Sequence, residues 1–242
     1  MAWDEVEAKL YSGENDGEIC IWSLHETHPI GVLGYEGNPR QPRDDTDIPA
    51  YNPEQMTLAK MKKIKKKLAF DEERGKGHFD LVTDMVVIQK LQYLASCSLD
   101  MKVILWDTIT KQAKRIYSEH RLGVLSLAYN EEKILLFSAG FDHDIFVWNP
   151  YIDQPINKMT SHNAAVLMLQ LIEHSNQMVS VDLLSIVKIW DIRNFSCTQT
   201  IPINEQIELH SGVKFDCISV IPAWKHSRLI FAGNMMIAYD YD

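Results

Sequence analysis

Three residue types able to perform nucleophilic chemistry recur together at fixed spacing. His78, Ser96 and Asp100 form one set, and His120, Ser138 and Asp142 form the next, each aspartate lying four residues after its serine. His162 and Ser180 open a third set, in which Leu184 stands where the aspartate is expected and Asp182 lies two residues before it. A serine activated by an imidazole that a carboxylate orients is the acyl-transfer constellation. Two features argue against that chemistry here. The constellation repeats, whereas an active site is expected once, and each set is followed by a tryptophan (Trp106, Trp148, Trp190) ten residues after its serine. An indole packed over the group would close it to substrate. Hydroxyl, imidazole, carboxylate and indole N–H can instead satisfy one another as a single buried chain, which buried polar groups require.

The elements that must position these residues repeat as well. Leu135 to Ala139 is apolar and extended, Gly140 to Asp144 holds turn formers, and Ile145 to Trp148 is apolar again, the pattern of strand, tight turn, strand. The stretch Ser138-Ala-Gly-Phe-Asp142-His-Asp-Ile145-Phe-Val-Trp148-Asn149 recurs 42 residues earlier, from Ser96 to Asp107, and 42 residues later, from Ser180 to Asp191. A fourth copy runs from Ser12 through Asp16 to Trp22 and Ser23, 84 residues before Trp106. A unit of this length ending in Trp-Asp has the period of a propeller blade. Each complete unit also has a Val four residues after its His: Val82, Val124 and Val166. The His then sits on the loop entering the innermost strand, the Ser on the second strand, the Asp at the next turn and the Trp on the third strand.

These residues resemble the WD-repeat family, whose blades carry such a Ser/His/Asp/Trp tetrad. The resemblance covers residues 1–36 and 78–242. It implies an all-β, WD-repeat β-propeller whose tetrads are structural: His78, Ser96, Asp100, Trp106; His120, Ser138, Asp142, Trp148; and His162, Ser180, Trp190, a network either incomplete or closed by Asp182. Ser12, Asp16 and Trp22 belong to the first unit.

The blades are expected at 1–36 (incomplete), 78–119, 120–161, 162–203 and 204–242 (incomplete). Ala2 to Ser12 matches the pattern of Ala128 to Ser138, so Met1 falls within a strand and the first blade lacks its first strand but for that stub. At the other end Phe215 to Ile221, Arg228 to Ala232 and Met236 to Tyr239 read as three strands, with Tyr239-Asp240 in place of Trp-Asp and no fourth strand. About five blades are counted, where WD-repeat rings usually have seven. The expectation is a segment of a larger seven-bladed ring, with the missing blades supplied in cis by a longer chain; residues 1–242 alone would then self-associate or aggregate. A closed five-bladed ring, its two ends sharing strands, is the competing arrangement.

Residues 37–77 break the period. Pro39, Pro42, Pro49 and Pro53 fall here with Asp44, Asp45 and Asp47 between them, a density that forbids a central strand. A short helix is expected from Pro53 to Glu73, carrying Lys60, Lys62, Lys63, Lys65, Lys66 and Lys67. The segment has a net charge of +3 on a chain of −9, and reads as a surface insertion. Its lysines are a solvated loop or a docking arm for an acidic partner surface such as a tubulin-like tail. No aromatic residues interleave with them for stacking on bases. The Asp cluster is not a calcium loop, because from Asp45 the sixth position is Ala50 and the twelfth is Met56.

The acidic balance argues against a nucleic-acid or membrane-surface binder. Cys20, Cys97, Cys197 and Cys217 have no metal-ligand spacing, and a free Cys within a strand pattern acts as a small hydrophobe. No metal or cofactor is expected, no apolar run reaches membrane length, and Met1-Ala-Trp-Asp-Glu is not a signal peptide. An intracellular, cytoplasmic protein follows.

A narrower resemblance lies in the last three blades. Ser138 to Tyr151, Val187-Lys-Ile-Trp-Asp-Ile-Arg-Asn-Phe-Ser-Cys197 and Phe231-Ala-Gly-Asn-Met-Met-Ile-Ala-Tyr-Asp240 are similar to the cilia- and flagella-associated WD-repeat proteins that often carry EF-hands. No EF-hand lies in this chain, so calcium binding is not transferred. The resemblance implies a non-catalytic protein-interaction scaffold in a ciliary, axonemal or microtubule-associated setting, with tubulin or axonemal proteins as partners. The alternatives are an adaptor unrelated to cilia and an enzyme with its site on the propeller axis, which would need a deep cavity with perturbed titratable groups.

Overall fold

The computed structural model describes residues 1–34, 77–172 and 175–204, together with backbone strands between 217 and 240. Among the described residues nineteen strands fall into five antiparallel sheets, each a meander in chain order. Blade one holds β1 (Ala2–Asp4), β2 (Lys9–Gly13), β3 (Ile19–Ser23) and β4 (Gly31–Val32). Blade two holds β5 (Val82–Ile88), β6 (Tyr93–Ser98), β7 (Val103–Asp107) and β8 (Ala113–Tyr117). Blade three holds β9 (Val124–Asn130), β10 (Leu135–Gly140), β11 (Asp144–Trp148) and β12 (Asn157–Thr160). Blade four holds β13 (Val166–Ile172), β14 (Gln177–Asp182), β15 (Ile186–Asp191) and β16 (Ser196–Pro202). Three strands of a fifth sheet are described: β17 (Cys217–Ala223), β18 (Arg228–Gly233) and β19 (Met236–Asp240). In blade one the first strand is the three-residue β1, with Ala2 opposite Tyr11 and Asp4 opposite Lys9.

Burial follows strand position. In blades two to four the second and third strands are buried on both faces, so β10 and β14 read as nearly unbroken apolar runs. Outer strands meet solvent, and β16 is Ser-Cys-Thr-Gln-Thr before its first buried residue, Ile201. Polar outer edges of this kind resist pairing with other chains. The core is a series of seams between blades. Ala95, Cys97 and Leu105 of blade two meet Leu127, Leu136 and Phe146 of blade three. Phe137, Ile145 and Val147 of blade three meet Leu169, Met178 and Trp190 of blade four. Each fully buried side chain of this size contributes about 1.5–3 kcal/mol.

First strands of successive blades lie against one another in the order β1, β5, β9, β13, β17. In β5, β9, β13 and β17 the register slips by one residue at the same place, at Thr83, Leu125, Leu167 and Ile218. Such a bulge bends the strand and re-aims its side chains. The re-aimed groups stitch the blades together: Thr83 donates to the Val124 carbonyl at 2.7 Å, and Asp84 Oδ2 accepts from the Leu127 amide at 2.8 Å and the Ser126 hydroxyl at 3.2 Å. Ser126 in turn accepts from the Leu169 amide at 3.1 Å.

The expected insertion leaves and rejoins the fold at one place. Gly34 has φ +74°, and a Cβ there would lie 2.9 Å from the Trp106 indole; one on Gly77 would lie 4.0 Å from the same ring. Lys60 to Lys67 and the helix expected over Pro53–Glu73 lie outside the described residues.

Candidate interaction face

Each tetrad is held by pairing across its sheet. Ser96 on β6 faces Ile104 on β7, which brings Trp106 and the loop histidine to the same side of the blade. The Trp106 indole donates to Ser96 Oγ at 2.7 Å, Ser96 Oγ lies 2.8 Å from His78 Nε2, and His78 Nδ1 lies 2.9 Å from Asp100 Oδ2. Blade three repeats this with Trp148, Ser138, His120 and Asp142, every distance being 2.7 Å. Each serine oxygen accepts the indole proton and still has a hydroxyl proton it can give to Nε2, while Nδ1 faces the carboxylate. The order Ser–His–Asp is that of a hydrolase triad, but the three serines are 0% exposed. No carbonyl carbon can reach them, and the arrangement acts as an internal bracket.

Burial raises the affinity of Asp100 and Asp142 for a proton, yet the hydrogen bond and charge of the facing histidine, with backbone amides, outweigh it. Both carboxyls are held below the usual value. In blade four Asp182 closes the network: its Oδ2 lies 2.9 Å from His162 Nδ1, while His162 Nε2 meets Ser180 at 2.6 Å and Trp190 donates to Ser180 at 2.8 Å. Leu184 is excluded from the network and points to solvent, 56% exposed. Among the described residues blade one holds a pair, Trp22 donating to Ser12 at 2.7 Å; Asp16 accepts from the Glu18 amide within its turn. Glu14, Asp16 and Glu18 bring three carboxylates within 4.8 Å on that turn, where Glu14 also accepts from the Cys20 thiol.

The brackets fix the turns above them. The amides of Leu99, Phe141 and Leu183, equivalent residues of three blades, donate to the carbonyls of Leu81, Gly123 and Ala165 at 2.9–3.0 Å. Met101, His143 and Ser185, again equivalent, take positive φ values of 69°, 66° and 59°. Turn tips ordinarily carry Gly, Asn, Asp or Ser. Here Met101, Leu122, Phe141, Leu183 and Leu184 are exposed instead, Leu183 at 64%. They recur from blade to blade as a band of apolar turn tips above the tetrads, and Leu99 lies beneath the Leu122 loop: a Cβ on Gly123 would lie 2.9 Å from the Leu99 side chain. The sequence places Phe141 within the Gly140–Asp144 turn, but turn position alone does not say which way an apolar side chain faces; an apolar residue among turn formers was the available signal.

Arg121 and His143 flank the band, both exposed. The Lys102 ammonium lies 5.0 Å from the centre of the Phe79 ring. Cys20 and Cys97 are buried and Cys197 is exposed. Among the described residues, no helix is long and apolar enough to cross a membrane.

Comparisons with known proteins agree with this geometry. The family described as "WD domain, G-beta repeat" matches residues 72–107 and 111–149. The chain is 36% identical over its whole length to Cilia- and flagella-associated protein 337 B of Tetrahymena thermophila, of which it spans 16%. It is 31% identical to Transducin beta-like protein 3 of Bos taurus over 48% of the chain and 15% of that protein. The chain thus spans about one sixth of the curated relatives it matches first. A chain in a solved structure titled "Crystal Structure of Mitotic Checkpoint Complex" superposes with a TM-score of 0.69 at 15% identity, covering 99% of this chain and 60% of that one. At that identity the likeness is one of fold.

Proposed function

The chain is a run of WD-repeat blades, and from that premise we propose that it is a non-catalytic scaffold that holds partner proteins on its turn-tip face, within a ciliary or axonemal assembly. One observation carries the reading. Three consecutive blades hold their turns rigidly by buried networks, and the tips so held expose apolar side chains where turn formers are the norm. Large exposed apolar patches mark sites of protein contact, and on this reading the tips of the three blades make one. The ciliary setting rests on the 36% identity to a cilia- and flagella-associated protein. The only hydrolase-like groups among the described residues are sealed inside the blades, which favours a scaffold over an enzyme.

The test uses the full-length protein, tagged in ciliated cells, beside a variant carrying Phe141→Ser, Leu183→Ser and Leu184→Ser. The wild type is expected to capture axonemal proteins through this face, separately from any attachment to tubulin by the lysines of the insertion. The variant is expected to lose them while melting at an unchanged temperature. An identical partner set for both proteins would remove the face from the mechanism. Capture of chromatin or coat proteins by the wild type would redirect the setting.

A further inference from the structure

We infer that the turn-tip face of blades three and four takes an acidic, leucine-type peptide segment of a partner protein, with Leu183 and Leu184 as apolar contacts, Arg121 as its charge contact and His143 as a hydrogen-bonding one. The inference rests on the scaffold reading above and adds the chemistry of the occupant.

The displaced acid of blade four is the starting point. In blades two and three the tetrad aspartate occupies the middle of the turn, so one turn position is committed to the interior. In blade four Asp182, at the end of β14, does that work and leaves both Leu183 and Leu184 at the tip. This paired tip is not loose. Leu183 donates to the Ala165 carbonyl at 2.9 Å, the Leu184 and Ile186 amides donate to Asp182 Oδ1 at 3.0 and 2.9 Å, and Ser185 donates to the Asp182 carbonyl at 2.9 Å. Four successive amides are satisfied behind two exposed leucines. A knob held this way loses little conformational entropy on binding, which is what preorganisation contributes to affinity.

Charge selects among apolar segments. Arg121 adjoins Leu122, and its backbone amide is tied to Asp142 at 3.3 Å, which places it beside the Phe141–His143 turn. Among the described residues neither the Arg121 guanidinium nor the His143 ring has an ion-pair partner. The carboxylates near them are already engaged: Asp142 by His120, and Asp144 by Lys158 at 2.5 Å. Glu119, on the far side of His120 in sequence, is the one exposed carboxylate of that loop. A partner that buries the band while bringing its own carboxylates to Arg121 and His143 completes both the apolar and the ionic contacts. A basic segment would leave the Arg121 guanidinium facing like charge.

A random peptide library displayed on phage, selected against the immobilised full-length protein and counter-selected against Leu183→Ser/Leu184→Ser, tests this. Enriched peptides are expected to combine two or more Leu, Met or Phe with Asp or Glu. Synthetic versions should bind the double variant, and separately Arg121→Glu, at least tenfold more weakly, with melting temperatures unchanged. Enrichment of basic peptides, no enrichment, or binding indifferent to both variants overturns the inference. Those results leave the ciliary partner set of the triple variant as a separate readout. If that set also stays unchanged the scaffold reading fails too, and if it collapses only the chemistry of the occupant was wrong.

Discussion

Blades three and four solve one problem in two ways. In blade three the carboxylate that braces the histidine comes from mid-turn, Asp142; in blade four it comes from Asp182, two residues earlier and still on the strand. The residue equivalent to Asp182 in blade three is Gly140, where a Cβ would lie only 2.1 Å from the Gly123 carbonyl oxygen. No side chain fits there, so the acid must stand in the turn. In blade four the loop before β13 leaves room, and the turn is freed to carry Leu183 and Leu184. In blade two the same position is Ser98, whose hydroxyl donates to the Asp80 carbonyl at 3.0 Å. The network requires an acid at a point in space, and two sequence positions can reach it.

The largest expected effect comes from removing the strand-borne acid. Asp182→Ala strands the His162 Nδ1 proton and the Leu184 and Ile186 amides, whereas Asp142→Ala strands His120 and the longer Arg121 contact. An unsatisfied buried polar group costs about 1–3 kcal/mol. At about 2–4 °C per kcal/mol for a chain of this size, Asp182→Ala should lower the melting temperature by roughly 6–12 °C, and His120→Ala or Asp142→Ala by about half as much. Adding Leu184→Asp to Asp182→Ala should recover part of the loss, since that restores the arrangement of blade three. Leu184→Asp alone should cost little, because the site is already filled. Thermal unfolding followed by circular dichroism reads all five proteins. Equal losses for Asp182→Ala and Leu184→Asp would show that the two turns do not differ as described.

This contrast marks how far the sequence could be read. The 42-residue recurrence of His, Ser and Trp revealed the blades, because the same pairing geometry demands the same residue types each time. Strand limits followed closely: Arg228 to Ala232 was expected and β18 runs Arg228–Gly233. Spacing could not decide between an open third network and one closed by Asp182, since the outcome depends on room beside the neighbouring loop. The inter-blade contacts of Asp84 with Ser126 and Leu127 were invisible for a related reason. They exist only after a one-residue slip re-aims the first strand. The apolar tips escaped because the turn is recognised from its formers, while the exposure of Phe141 and Leu183 depends on the backbone bonds that hold the turn.

A smaller effect separates the bracket acids from the axial one. Asp100 and Asp142 bind protons less readily in the fold than their ordinary value of 3.8, so they stabilise above that pH and the benefit is lost as pH falls through the depressed value. Asp84 has the opposite sign. Burial lifts it, and the bonds from the Leu127 and Met85 amides and the Ser126 hydroxyl reduce that lift without cancelling it. Its contribution is therefore complete below 3.8 and is lost as pH rises through the raised value. Melting temperatures of Asp142→Asn and Asp84→Asn, each compared with wild type from pH 3 to pH 7, should diverge in opposite directions. The wild type should gain on Asp142→Asn as pH rises and lose ground to Asp84→Asn. Parallel trends would mean that one of the two carboxylates is not held as described.

The smallest expected effect sets the apolar band against the lysines of the insertion. Lys60, Lys62, Lys63, Lys65, Lys66 and Lys67 place six charges in eight residues of an otherwise acidic chain. Any attachment through them is electrostatic, and such attraction is screened beyond about 8 Å at physiological ionic strength. The apolar part of a contact through Leu183 and Leu184 should change little with salt, leaving only the Arg121 pair to be screened. Co-sedimentation with microtubules, from low to physiological salt, distinguishes the two surfaces. If the lysines dock on acidic tubulin tails, roughly half or more of the pelleting at low salt should disappear over that range. A version with all six changed to Gln should pellet weakly throughout, while Leu183→Ser/Leu184→Ser should follow the wild type. Equal pelleting of the wild type and the Gln version would assign the lysines to solvation alone and leave the turn tips as the surface through which partners are held.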